Sequence, residues 1–488
     1  MDLILALDAG TTGVRTLAFT PDLEVLDEAY RELTQFFPSP GEVEHDPLEI
    51  AQLAISTLDE VARRAKLAGN RVVALGITNQ RETTIAFDRE SGEPLTRAIV
   101  WQDRRTADFC GELEAAEHGE QVRAITGLVL DPYFSATKMH WILERGLADA
   151  ARRPSFATVD AWLIWVLTGG VEGGVFATEA SNASRTSLLD VRSLTWSPAM
   201  LTLFGVEAAM LPEVRASNAS FGVVHADIVP ELAGLAITGV LGDQQAALFG
   251  QACFSPGLAK ATYGTGAFVL AHAGSHAPSV VNGLITTVAW DLGDERAYAL
   301  EGSAFVAGAA IQWLRDLGVI DASRDLEALA LSATDSGGAQ FVPAFSGLGS
   351  PFWRSDARGA ILGLHPGVGR AQLARALVES LAFQVRAMTD AFGAGGVTLR
   401  ELRCDGGAAA MDLLLQLQAT NSRVRVLRSS TLEATARGAA SMAALGAGVY
   451  SSLEELSQRW TSTARFEPGE VEGVDAGYAN WRRALERA

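Results

Sequence analysis

The strongest constraint on how this chain can fold is a pattern that occurs twice. Leu3 to Leu7 is a compact apolar run ending in Asp8, followed by Ala9-Gly10-Thr11-Thr12-Gly13 and then Val14 to Phe19. Strand, Gly/Thr turn, strand is the reading, with hairpin signals in the right place. Gly257 to Leu270, with Gly264-Thr265-Gly266 at its turn, reads the same way and opens the second half. The first turn lacks the Lys-Ser/Thr of a Walker loop. It can still cradle phosphate, because glycines free backbone N–H groups and the threonine hydroxyls add donors. A plain hairpin carries the same signature. The second copy tips the balance towards two phosphate-gripping turns facing one cleft.

A chain of 488 residues is too long for one ordinary core, so two large domains are expected, at 1–251 and 252–488. The predicted fold is α/β, built as two actin-like (ribonuclease H-like) domains with an interdomain active-site cleft that holds nucleotide. A formal net charge of −19 disfavours nucleic acid or an anionic membrane as partner. The only cysteines, Cys110, Cys253 and Cys404, give neither a disulfide frame nor a metal-type spacing, which fits a reducing compartment. Asp2 and Asp8 sit where a signal peptide would be basic and then apolar, and no run of about 18 apolar residues exists. A cytoplasmic protein without a membrane span is the expectation.

The candidate for chemistry is Gly242-Asp243-Gln244-Gln245, where an apolar run from Leu235 to Leu241 hands over to a helix-forming segment. A carboxylate there can cap the helix or take a proton from an incoming hydroxyl. Val72 to Ile77 reads as another buried strand and runs into polar Thr78 to Thr84, where Arg81 and Glu82 offer a donor fork beside an acceptor. Such a pair suits a polyhydroxy molecule, or a solvated turn. Ala304 to Leu317 reads as a helix with Gly308 and Gln312 on one face, and Leu373, Leu377, Leu381, Val385 and Met388 as a core stripe. Leu402 to Cys404, then Asp405-Gly406-Gly407, reads as strand and diglycine turn opening a helix through Leu414 to Gln418, a place for adenosine or its phosphates.

Eight stretches, in order, carry a resemblance: GITNQRETT (76–84), IVWQDRRT (99–106), TGLVLDPYFSATK (126–138), SNASRT (181–186), GDQQAALFGQ (242–251), YGTGAF (263–268), GAAIQWLRD (308–316) and PAFSGLG (343–349). Over nearly its full length the chain resembles the FGGY family of carbohydrate kinases, and within it the members that act on glycerol. The resemblance implies ATP-dependent phosphorylation of glycerol to sn-glycerol 3-phosphate, with Mg²⁺. It implies that Asp243 is the general base, and that Arg81, Glu82, Tyr133, Asp243 and Gln244 contact glycerol beneath a wall of Trp101 and Phe268. It places Thr11, Thr12, Gly13, Arg15, Thr265, Gly308, Gln312, Gly407 and Asp412 at nucleotide-contacting positions, and Asp8 with Asp243 near the metal. It allows a homodimer or homotetramer. Another polyol or ketose as substrate, or a non-catalytic actin-like nucleotide-binding protein, are the competing readings.

The chain departs from the family pattern at particular residues. Ala9, Gly13 and Val14 stand where these kinases carry Gln and a Ser pair, and Met411-Asp412 where they carry two asparagines. Asp412 thus replaces a donor–acceptor amide by an acceptor. The Gly-rich basic loop with which some bacterial members bind fructose 1,6-bisphosphate is not found between Phe221 and Ile237, and His225 in that stretch reads as a surface residue.

Overall fold

Five strands build the first central sheet: β1 (Asp2–Ala9), β2 (Gly13–Phe19), β3 (Val25–Glu32), β4 (Arg71–Asn79) and β5 (Ile237–Gly242), in the spatial order β5-β4-β1-β2-β3. The computed structural model describes residues 1–278, 283–354, 356–470 and 473–488. Among them the second half forms β6 (Leu258–Tyr263), β7 (Ala267–Gly274), β8 (Ile285–Asp291), β9 (Arg296–Ala304), β10 (Glu401–Asp405), β11 (Arg425–Ser429) and β12 (Ser462–Phe466), ordered β8-β9-β7-β6-β10-β11-β12.

In the first sheet β1 and β2 are an antiparallel hairpin, β3 joins β2 antiparallel, and β4 and β5 add in parallel on the other side. In the second, β6 and β7 make the hairpin, β9 joins antiparallel, and β10 and β11 add in parallel. The same path therefore occurs twice, with β8 and β12 as extra edge strands. Leu3 to Leu7 are all buried, the continuous apolar run that a strand covered on both faces requires.

Helix α1 (Pro47–Leu67) covers one face of the first sheet. Asp46 caps it by accepting from the Leu48 N–H at 2.9 Å, Pro47 fits its first turn, and Ile50, Ala54, Leu58 and Val61 form its buried stripe. The remaining helices that bear on the site are α2 (Asp243–Gly250), α3 (Gly308–Asp316), α4 (Arg370–Ala394), α5 (Asp412–Ser422) and α6 (Ala434–Gly446). Leu377, Leu381, Val385 and Met388 of α4 are core, as their spacing predicts, and Leu373 is half-buried.

The opposite face of the first sheet is covered by α6, which comes from the second half of the sequence. The approach is so close that a Cβ on Gly76 would lie 2.2 Å from the Ala439 carbonyl oxygen, and one on Gly438 would lie 1.8 Å from that of Ala246. Ile4, Ala6, Leu17 and Phe19 share one apolar cluster with Leu270, Trp290, Ala436 and Ala440, so the two halves have a common core. Among the described residues no helix is long and apolar enough to cross a membrane.

Two elements start later than their sequence suggests. The helix expected from Ala304 begins at Gly308, because Ala304 still pairs with Ala267 in the sheet and the Ala307 N–H is held by the Thr265 carbonyl at 2.8 Å. The diglycine after β10 opens only a 3₁₀ turn, Gly407–Ala410, and the α-helix begins at Asp412.

Candidate active site

The first Gly/Thr turn closes through the Gly10 N–H, which donates to the Gly13 carbonyl at 2.9 Å. Behind it lies a polar support. Gln35 donates to the Thr11 carbonyl at 2.7 Å and takes the His45 Nε2 at 2.9 Å, while Gln80 donates to the Gly10 carbonyl at 3.3 Å and to His45 Nδ1 at 3.2 Å. Burial pushes His45 down to about 4, so it works here as a neutral ring with one donor and one acceptor. A Cβ on Gly13 would meet the Tyr30 ring at 2.4 Å and the Arg31 carbonyl oxygen at 2.6 Å. Thr12 is exposed, and Thr11 is fixed by Trp101, whose Nε1 donates to its Oγ1 at 2.9 Å.

The second turn rests on the start of α3. Gly308 donates to the Gly264 carbonyl at 2.9 Å, and its own Cβ, were there one, would stand 2.6 Å from that oxygen. Thr265 is exposed above it, and Gln312, one turn on, donates to Asp316 Oδ1 at 2.8 Å. Gly406 has φ +86° and lies against Tyr263, which leaves Gly407 with open space over its backbone. Asp412 is 72% exposed and ion-paired with Arg428 rather than turned inwards.

Asp243 is the first residue of α2, and Gly242 is the cap. Its Oδ1 accepts from the Gln244 N–H at 2.6 Å and forms an ion pair with Arg81 Nε at 3.0 Å, which holds the carboxylate with 30% of its side chain still open. Arg81 is buried, and its two terminal nitrogens grip Glu301 at 2.7 and 3.1 Å. Glu82, at φ +62°, faces the other way and takes Arg185 Nε at 2.6 Å, and Arg185 reaches Glu301 at 3.3 Å. Burial opposes the charge on Glu301, but Arg185 and Arg81 outweigh it and hold the carboxyl down at about 2. Glu82 goes the opposite way, since burial raises it more than the two arginines lower it. Tyr133 closes this corner. Its ring is 5.5 Å from Trp101, edge to face, and the Arg185 guanidinium lies 5.5 Å from its centre.

The second sheet contributes through simple alternation. Ala259, Ala261, Val269 and Leu300 point into the core, so Lys260, Thr262, Phe268, Glu301 and Ser303 share the other face, which is the face towards Asp243. Lys260 is buried, and its Nζ donates to Gln244 Oε1 and, at 3.2 Å, to Thr262 Oγ1. Burial brings its pKa down to about 8, against the pull of Asp405, Glu301 and Asp243. Asp8, in register with Arg15 on β2, gives Oδ2 to Arg15 Nε at 2.9 Å, and Arg15 also pairs with Glu433. Burial raises Asp8 above the usual aspartate range in spite of Arg15, with Asp243 and Glu433 adding to the rise.

The sequence profile of the FGGY family of carbohydrate kinases matches residues 3–250 with its N-terminal domain and residues 259–447 with its C-terminal domain. The chain belongs to the FGGY family of carbohydrate kinases. A glycerol kinase of Thermus brockianus is 50% identical over 496 residues, covering 100% of this chain and 99% of the relative. A glycerol kinase of Acidovorax sp. (strain JS42) is 47% identical over 500 residues, with 100% and 99% covered. The crystal structure of Plasmodium falciparum glycerol kinase with ADP superposes with a TM-score of 0.93 at 34% identity, over 100% of this chain and 98% of that one. A gluconate kinase from Lactobacillus acidophilus shares the fold, with a TM-score of 0.91 at 18% identity.

In this FGGY kinase a run of contacts leads from Thr11 through Trp101, Tyr133, Arg185, Glu301 and Arg81 to Asp243, while Thr265 and Gly308 belong to the second turn. Arg15 and Asp412 spend their charge on Asp8, Glu433 and Arg428. Arg185, Glu301 and Lys260 were missed, and the signal for them was present. Lys260 and Glu301 are charged residues flanked by small or apolar neighbours inside strands, and Arg185 is a buried charge between Ser184 and Thr186. For Mg²⁺ the donor set fits: among the described residues Asp8 Oδ1 and Asp243 Oδ2 accept no hydrogen bond, and hard carboxylate oxygens are what that ion takes beside substrate phosphates. His225 lies partly exposed beside Asp227, 3.9 Å away.

Proposed function

We propose that this FGGY kinase transfers the terminal phosphoryl group of ATP to glycerol, giving sn-glycerol 3-phosphate, with Asp243 as the general base. The observation that carries the reading is Asp243 at the handover from β5 to α2, paired with Arg81 and partly open. Full-length identity near 50% to a glycerol kinase supports glycerol over other polyols and ketoses. An acceptor carboxylate held in this way can receive the proton of a hydroxyl as it attacks phosphorus.

Glycerol lies over Trp101 and Phe268, with Arg81, Glu82, Tyr133 and Gln244 around it. Arg185 adds a donor, since its Nη1 is buried without a partner among the described residues. The nucleotide lies between Thr11, Thr12 and Gly13 on one side and Thr265, Gly308, Gln312 and Gly407 on the other, with Arg15 and Asp412 at its margins. Asp8 and Asp243 would hold Mg²⁺, which supplies charge neutralisation for the transferred phosphoryl group. Residues 1–251 and 252–488 act as polyol-binding and nucleotide-binding domains. A cytoplasmic location accords with three buried free thiols, and sedimentation reads whether the enzyme is a homodimer or homotetramer.

The test is ADP release measured with glycerol, dihydroxyacetone, xylulose, ribulose and gluconate in turn. Highest kcat/KM on glycerol supports the reading. A higher value on any of the others transfers the assignment to that substrate, and no turnover on any leaves a nucleotide-binding protein.

A further inference from the structure

Lys260 has no part in the roles above, yet its surroundings are unusual for a lysine. It is fully buried on β6, in the second domain, and its ammonium crosses the domain boundary to the first turn of α2. Burying an ammonium is unfavourable unless its donors are satisfied. Its two hydrogen-bond partners are Gln244 Oε1 and Thr262 Oγ1, and carboxylates of Asp405, Glu301 and Asp243 surround it at longer range, with Arg81 opposing.

An ammonium has three donors and no acceptor. The group of Gln244 that meets it must therefore be the carbonyl oxygen, which settles an amide orientation that carbon-and-nitrogen positions alone leave open. The Gln244 NH₂ then points away from Lys260. Gln244 follows Asp243 directly, so fixing its amide fixes a donor next to the base. Free in solution, that side chain would sample several rotamers and both amide orientations.

We propose that Lys260 is the positioning residue for substrate binding: from the second domain it orients the Gln244 amide so that its NH₂ meets a hydroxyl of the polyol. This rests on the assignment of a polyol kinase above. It makes the polyol site complete only when the two domains are apposed, because the donor is on α2 and the residue that aims it is on β6.

The experiment is a double-mutant cycle on the full-length enzyme with K260M, Q244A and the pair, read as KM for polyol, KM for ATP and kcat. Losing a charge-assisted hydrogen bond that orients the donor should raise polyol KM roughly 10- to 100-fold in K260M. ATP KM should stay within about twofold, and K260R should recover most of the loss, since arginine is also donor-only. If Lys260 acts through Gln244, the double variant is no worse than Q244A alone. Polyol KM unchanged in K260M, an equal rise in both KM values, or losses that multiply in the double variant overturns the proposal. Should K260M not fold, K260Q takes its place in the cycle, with the same criteria. The cycle is run on whichever polyol is turned over best. Preference for another polyol with a non-additive cycle overturns only the choice of glycerol, whereas no turnover on any polyol overturns both.

Discussion

Glu301→Gln tests whether the buried charge network holds the site together. The substitution keeps shape and one acceptor but removes the charge that faces Arg81 and Arg185. Holding this carboxyl at about 2 rather than 4.5 corresponds to roughly 3 kcal/mol of stabilisation at neutral pH. An independent guide agrees, since breaking a buried pair on one side costs about 3–5 kcal/mol. Glu301 binds no proton in the native state where the unfolded chain does, so its contribution is complete above 4.5 and is lost as pH falls through 4.5 towards 2. The gap between wild type and variant in urea unfolding should thus be about 3 kcal/mol at pH 7 and smaller by about 1 kcal/mol at pH 4. Polyol KM should rise as well, because Arg81 loses the partner that aims it. A variant within the ~0.5 kcal/mol typical of surface substitutions, or a gap that widens in acid, would refute the account of Glu301 as the network's compensating charge.

Other predictions follow from single contacts. Asp243→Asn should lower kcat at least about 10²-fold while calorimetry still detects ADP binding; near-normal turnover removes Asp243 as base. Gly308→Ala places a methyl 2.6 Å from the Gly264 carbonyl, so the second turn shifts; kcat/KM for ATP should fall on the order of 10²-fold with polyol KM unchanged. His45 stays neutral in the native state down to about 4, whereas the unfolded chain takes its proton near 6.5, so stability should fall by up to about 3 kcal/mol as pH drops across that interval. His45→Gln should flatten that slope in thermal melts followed from pH 7 to pH 4.

Much of the fold was readable because its signals are local. The apolar run before Asp8 and the glycines at 10, 13, 264 and 266 announce the hairpins without reference to the rest of the chain. Asp243 could be placed at a strand-to-helix handover for the same reason, although its partner Arg81 could not be known. What stayed hidden depends on register between distant segments. Glu301 sits 220 residues from Arg81, and Lys260 meets Gln244 only because β6 runs beside α2. Alternation along Leu258–Tyr263 and Arg296–Ala304 would have singled out Lys260 and Glu301 as the charged residues in the interior of the two strands. Nothing local to the Ala-rich segment 434–446 says which sheet it will cover.

That crossing helix bears on how the molecule comes apart. A fragment ending at 251 would have the whole first sheet yet lack the alanines of α6 that seal its back face, leaving Gly76 and Ala246 bare. The duplicated halves are therefore not two autonomous units joined by a tether. Each is finished by the other, and the chain must be synthesised past Gly446 before the first half can close its core. Adding the segment 430–450 as a separate peptide to a 1–251 fragment should restore cooperative melting if that interlock governs assembly, and a fragment that melts cooperatively by itself would show that it does not.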